Sequence, residues 1–133
     1  MKNLILLLSF ISSLTFCSKN VESQITKELI GKWSWIESSG GIMGKTINPA
    51  TTGNQITIEF TSDKFFQYTN DSLALEMSYK IEKGRSIRVS EETFLIVYEN
   101  GQKQSIEAEG NKLILYDECH DCYQNEYIKK QEE

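Results

Sequence analysis

Histidine occurs once in this chain, as His120, and basic residues are outnumbered, 14 Lys and Arg against 19 Asp and Glu. With a single histidine, a Ser-His-Asp or Cys-His arrangement would have to be built around that one residue. The chain has no nucleophile elbow, P-loop or paired-glycine nucleotide motif. The formal net charge is −5 and no basic cluster relieves it. That balance makes nucleic acid a poor partner and gives anionic membranes no electrostatic grip. Low-complexity tracts are absent, and outside Cys119 and Cys122 there is no second cysteine pair. No catalytic constellation emerges from what remains. The chain reads as a non-enzyme with no cofactor or metal to hold.

The longest apolar run, from Leu4 to Phe16, is too short to span a bilayer, which takes about 20 residues. It follows a lone cation, Lys2, and stops at Cys17 before polar Ser18, Lys19 and Asn20. This is the layout of a bacterial secretion signal over residues 1–16. Leu14-Thr15-Phe16-Cys17 resembles a lipobox, with Phe16 where that motif carries a small residue. The resemblance makes Cys17 the acyl-bearing residue of a lipoprotein in the cell envelope, anchored to the inner or outer membrane. Removing residues 1–16 from the 133 leaves 117, enough for one core and too few for two. Residues 17–27 then form a lipidated N-terminus and polar tether, and residues 28–133 a single domain.

Within that domain the dominant pattern is alternation. In residues 55–61, Ile56, Ile58 and Phe60 oppose Thr57, Glu59 and Thr61; in 74–83, Leu75, Met77, Tyr79 and Ile81 oppose Glu76, Ser78, Lys80 and Glu82. A period of two over such lengths predicts half-buried strands. Further runs at 32–37, 64–68, 86–89, 93–99, 103–109, 112–117 and 123–129 bring the candidates to nine. Most links are tight: Ser62-Asp63, Asn70-Asp71, Lys83-Gly84, Asn100-Gly101 and Gly110-Asn111. Short links join antiparallel neighbours, and Asn-Gly suits a type I′ turn. The one helical pattern is at about 23–30. One link is long, residues 38–54, so a meander fits better than a Greek-key sandwich. The expected fold is all-β: an up-and-down antiparallel barrel of eight to nine strands with a short N-terminal helix. Its interior would take Phe60, Leu75, Met77, Tyr79, Ile81, Phe94, Ile96 and Tyr98. The carboxylates fall on the outward positions.

A short helix leading into Gly31-Lys32-Trp33, a long glycine-bearing loop, and a meander ending in Tyr127-Ile128-Lys129 resemble the lipocalins. The likeness is to the small lipocalin-like lipoproteins of Bacteroidetes-type bacteria, over about residues 28–130. It implies that the tryptophan of Gly31-x-Trp33 plugs the closed end of the barrel. The cation that packs over it in the family is an arginine of the last strand; Lys129 is the nearest candidate here. It also implies that residues 38–54 lie across the mouth as a lid, with Ile42, Met43 and Ile47 turned to the ligand or the entrance. The ligand would be a small apolar or amphipathic molecule against Phe60, Met77, Tyr79, Phe94, Ile96 and Tyr98, and the barrel a monomer. An alternative is a filled barrel acting through its rim, as an interaction or inhibitor module of the lysozyme-inhibitor type.

Cys119-His120-Asp121-Cys122 allows three readings. In an exported protein the pair is most simply a disulfide. Redox activity of the thioredoxin type needs the first cysteine at a helix N-terminus, and this motif lies between strands. Zinc would use both thiolates and His120, with a fourth ligand from Asp117, Glu118, Asp121 or a partner.

Overall fold

The alternating runs fold into the hairpins that their spacing predicts. A computed structural model describes residues 16–131, so most of the signal segment lies outside the described residues, as does the side chain of Cys17. Helix α1 (Phe16–Leu29) precedes β1 (Gly31–Gly40), β2 (Lys45–Ile47), the short helix α2 (Pro49–Thr52) and β3 (Ile56–Phe60). Then come β4 (Lys64–Thr69), β5 (Ser72–Arg85), β6 (Glu92–Tyr98), β7 (Lys103–Glu109), β8 (Lys112–Asp117) and β9 (Tyr123–Lys129). All pairings are antiparallel, and β9 returns to pair with β1. All the strands but β2 therefore form a closed up-and-down barrel, which leaves no long unpaired edge. Strand β2 is extra. It pairs with Ser38–Gly40 of β1, on the edge that β3 follows only along Gly31–Ser34.

Several details differ from the sequence reading. Residues 18–24, expected as a tether, belong to α1, in a stretch that no proline or glycine interrupts. Gln24 donates to Glu28 one turn on (3.2 Å). The I′ conformation is taken by Asn70 and Asp71, with φ of 50° and 63°, and not by Asn100-Gly101, where only the glycine has positive φ. Lys83-Gly84 is no turn: β5 runs through it, paired with Phe94 and Thr93 of β6, and an added β-carbon on Gly84 would stand 3.0 Å from Leu95 Cδ1.

The expected strand at 86–89 is instead the turn between β5 and β6. Ser86 Oγ (2.8 Å) and the Ile87 amide (2.6 Å) both donate to the Glu118 carboxylate, and the Arg88 guanidinium sits 3.6 Å over the Tyr116 ring. Those bonds hold the turn against the outer face of the barrel, above the cross-strand row Leu95, Ser105 and Tyr116. Burial pushes the Glu118 carboxyl up. The hydroxyls of Ser105 and Ser86, the Ile87 amide and Arg88 together outweigh it, and its pKa falls below the usual value. The Ser105 hydroxyl stands near this carboxylate without ordinary hydrogen-bond geometry.

One end of the barrel is closed and filled. Leu29, the last residue of α1, has 0% exposure, and Trp33 only 1%. The Trp33 indole N–H donates to the Leu29 carbonyl (2.8 Å), which ties the helix end to the first strand. Lys129, the nearest cation on the last strand, lies over the Trp33 ring, its Nζ 4.9 Å from the centroid. Above them Phe60 packs on Phe65 (5.1 Å) and edge-on to Tyr79 (5.2 Å), and Phe65 meets Tyr98 edge-on (5.2 Å). Such tilted pairs each add about 0.5–1.5 kcal/mol beyond the area they bury.

Candidate functional site: a half-open barrel cavity

The aromatic plug fills only part of the interior. Toward the other end, where the β8–β9 turn carries Cys119 and Cys122, the barrel opens into a cavity that, with its extension over the rim, measures about 710 Å³. Phe65, Leu75, Met77 and Leu115 supply apolar lining, and Gln67, Gln104, Asp117, Asn125 and the rings of Tyr98 and Tyr127 supply polar lining; the space then continues over the rim, past Lys103 and Arg85, to Leu95, Ile87 and Glu118 beneath the β5–β6 turn. That volume lies within the roughly 300–1,000 Å³ typical of small-molecule sites.

Cross-strand register places the polar side chains. Gln104 stands opposite Asp117, and Asn125 opposite Leu115, so the ends of β7, β8 and β9 bring their amides and the carboxylate together. A bulge adds Ser38. The β1–β9 register slips between Trp35 and Glu37, so Trp35 and Ser38, three residues apart, are both buried. Two hydrogen-bonded arms then converge. In the first, Trp35 Nε1 donates to Ser38 Oγ (2.9 Å), Ser38 Oγ to Asn125 Oδ1 (2.6 Å), and Asn125 Nδ2 makes a long contact to Asp117 Oδ1 (3.5 Å). In the second, the Tyr98 hydroxyl donates to Gln104 Oε1 (2.6 Å) and Gln104 Nε2 to Asp117 Oδ1 (2.7 Å). Each amide has its oxygen satisfied by a hydroxyl, which fixes which end it offers to Asp117. Burial, and then the Asp117 charge, pushes the Tyr127 hydroxyl pKa well up; for Tyr98, burial comes first and Tyr127 and Asp117 follow. Both hydroxyls stay protonated, and that of Tyr98 is the donor to Gln104.

The residues expected to line the interior are divided by this arrangement. Met77 and Tyr98 line the cavity. Phe60, Tyr79 and Ile96 belong to the packed core at the closed end. The Tyr79 hydroxyl is taken up by the Thr61 carbonyl, and burial followed by the Asp63 charge pushes its pKa up to about 12. Phe94 is half-buried and stands apart from both the core and the cavity. The lid expectation does not match this geometry. Ile42 is 89% exposed, Met43 78% and Ile47 38%, and none of them lines the cavity. The stretch 38–54 is ordered by its own bonds instead: β1 continues to Gly40, β2 pairs back on it, and Asn48 caps α2 with a capping box. The sequence reading missed Gln67, Gln104, Asp117, Asn125 and Tyr127. The available signal was parity, since Asp117 continues the inward series Leu113, Leu115 and so departs from the outward rule for carboxylates.

Of the three readings of the cysteine pair, the structure has the disulfide, Cys119 to Cys122, with Cα atoms 5.6 Å apart. It closes a very short loop at the rim. On chain-entropy grounds such a loop stabilises by only about 2 kcal/mol. Reduction is therefore expected to lower the melting temperature modestly and leave the barrel folded. A thermal melt with and without reductant checks this; loss of the cooperative transition on reduction would contradict it. Comparison of the chain with family models, with curated proteins and with solved structures finds no match.

Proposed function

We propose that this protein is a lipocalin-like binding lipoprotein that holds a small amphipathic molecule in the open half of its barrel. The observation that carries the reading is the 710 Å³ cavity, whose lining mixes apolar side chains with a hydrogen-bonded polar cluster. The plugged end, with Trp33 bonded to the helix and covered by Lys129, also suits a lipocalin-type barrel. Apolar contact would supply the non-directional part of affinity at about 25 cal/mol per Å² buried. The polar cluster would set the ligand's orientation.

The test is titration of an uncharged fluorescent probe, N-phenylnaphthylamine, into the purified protein. A saturable signal is expected. Met77, in the cavity wall opposite Phe65 on β4, is the position at which to block it. Met77→Trp should weaken probe binding at least about tenfold, a loss of about 1.4 kcal/mol, while the cavity absorbs the added volume with little loss of stability. No saturable signal in the wild type would defeat the reading.

The reading includes export and anchoring of a monomer to the cell envelope through acyl chains on Cys17, supported by the apolar run that stops there. Intact mass and membrane fractionation of the exported protein check it: Cys17→Ala should abolish the lipid mass and the membrane association. A mature N-terminus elsewhere, without lipid, would refute it.

One observation favours a second reading, in which the rim contacts another macromolecule. Ile42 and Met43, at the tip of the β1–β2 hairpin, are almost wholly exposed. Loss of partner capture on Ile42→Ser/Met43→Ser, with probe binding intact, would single it out.

A further inference from the structure

We infer that Asp117 makes the cavity selective for molecules whose polar end is a cationic amine. This rests on the cavity reading above and narrows it to a ligand class. The Asp117 carboxylate belongs to the cavity wall, and no Lys or Arg among the described residues forms an ion pair with it. The two arms ending on it come from five strands: β1 and β9 through Trp35, Ser38 and Asn125, β6 and β7 through Tyr98 and Gln104, with Asp117 itself on β8. Gln104 donates to Oδ1 at 2.7 Å, while Asn125 Nδ2 lies 3.5 Å from the same oxygen and equally far from the Leu115 carbonyl. Neutral amide donors orient the carboxylate without neutralising its charge. The second oxygen, Oδ2, accepts no hydrogen bond among the described residues and is the natural partner for an ammonium group.

The surroundings fit the same class. The rings of Tyr98 and Tyr127 stand beside Asp117 in the wall, and electron-rich aromatic faces favour a cation. Phe65, Leu75, Met77 and Leu115 can take an alkyl or aryl tail. Two cations, Arg85 and Lys103, and a second carboxylate, Glu118, line the same cavity. Lys103 lies 3.9 Å from Glu82, to which its charge is directed. An anionic headgroup drawn to Arg85 is the competing outcome, and the experiment includes it.

The probes are decylamine, decanol and decanoate, which share one tail and differ in charge. Each is titrated calorimetrically into the purified protein at neutral pH, below its aggregation threshold. Decylamine is expected to bind roughly tenfold or more tighter than decanol, the scale of one charge-assisted hydrogen bond, with decanoate weakest. Asp117→Asn keeps the shape and an acceptor for Gln104. It should lose the preference for the amine, so that decylamine and decanol bind within about threefold of each other. Equal binding of amine and alcohol, tighter binding of decanoate, or an amine preference that survives Asp117→Asn would overturn the inference while leaving the cavity reading standing. Failure of all three probes would remove both. Should the variant not fold, the wild-type order decides: the amine's advantage must be present and must shrink at high salt.

Discussion

Replacing Trp33 with alanine is expected to destabilise the barrel by about 3–5 kcal/mol, the usual cost of emptying a buried tryptophan site. The residue is 1% exposed and joins three things at the closed end: its ring fills the plug, its N–H satisfies the Leu29 carbonyl, and its face receives Lys129. The alanine variant leaves a cavity that α1 cannot collapse into, because Leu29 already sits there. It also frees a carbonyl at the end of the helix. For a domain of this size the melting temperature should fall by roughly 15 °C. Trp33→Phe should lie between the two, since it keeps most of the ring and loses the hydrogen bond. Hydrogen exchange should report the same event as faster exchange in the last turn of α1. The lysine makes a smaller contribution: a half-buried cation over an indole adds about 0.5–2 kcal/mol, so Lys129→Ala should cost less. A Trp33→Ala protein within about 1 kcal/mol of the wild type would show that the plug is not what holds this end closed.

Gly40→Ala is the second change with a large expected effect, at the opposite end. Gly40 has φ of +132°, a backbone region that side chains rarely adopt. A β-carbon there would stand 2.5 Å from the Cys122 carbonyl oxygen and 3.2 Å from Tyr123 Cα. Both are backbone atoms, so no rotamer change relieves the clash; β1 and β9 must separate. Strain of about 1–3 kcal/mol adds to the lost packing, and a total near 3 kcal/mol is expected. Gly44 is the control. Its φ is +59° and nothing lies within 4 Å of its added β-carbon, so Gly44→Ala should cost only the left-handed conformation, about 1 kcal/mol. Chemical denaturation of the two variants gives the comparison. Amide exchange at 38–40 and 123–125 shows whether the strands part. Ser38 and Asn125 are paired in this same stretch, so Gly40→Ala should also loosen the polar cluster and weaken probe binding. Equal costs for the two glycines would mean that the close approach at Gly40 is not a constraint.

The barrel was legible because alternation is a local property. Where one face of a strand meets the core and the other meets water, the period of two is written in neighbouring residues, as in 55–61 and 74–83. Tight links between such runs leave antiparallel pairing as the main option. The false strand at 86–89 shows the limit. Its residues suit a strand, but Glu118, some thirty positions later, captures Ser86 and Ile87 and makes a turn of them. The long loop failed for a related reason. The resemblance implied a lid across the mouth, whereas β2 had an unpaired edge of β1 to bind and Asn48 a helix to cap.

The meander was readable from the chain alone, because alternation and tight links are properties of neighbouring residues. The plug of Trp33 under a last-strand cation came only from the lipocalin resemblance, and the Cys-x-x-Cys spacing left disulfide, redox and zinc readings open until the structure paired Cys119 with Cys122. Only the tertiary structure decided how the interior is divided between plug and cavity, and which polar side chains meet there. Barrel closure sets which strands face one another, and a one-residue bulge near Trp35 turns Ser38 to the side that simple alternation denies it. Asp117 gains its setting from Gln104 and Asn125, which approach it only across paired strands. A binding site of this kind depends on register, and register is a property of the closed sheet rather than of any one strand.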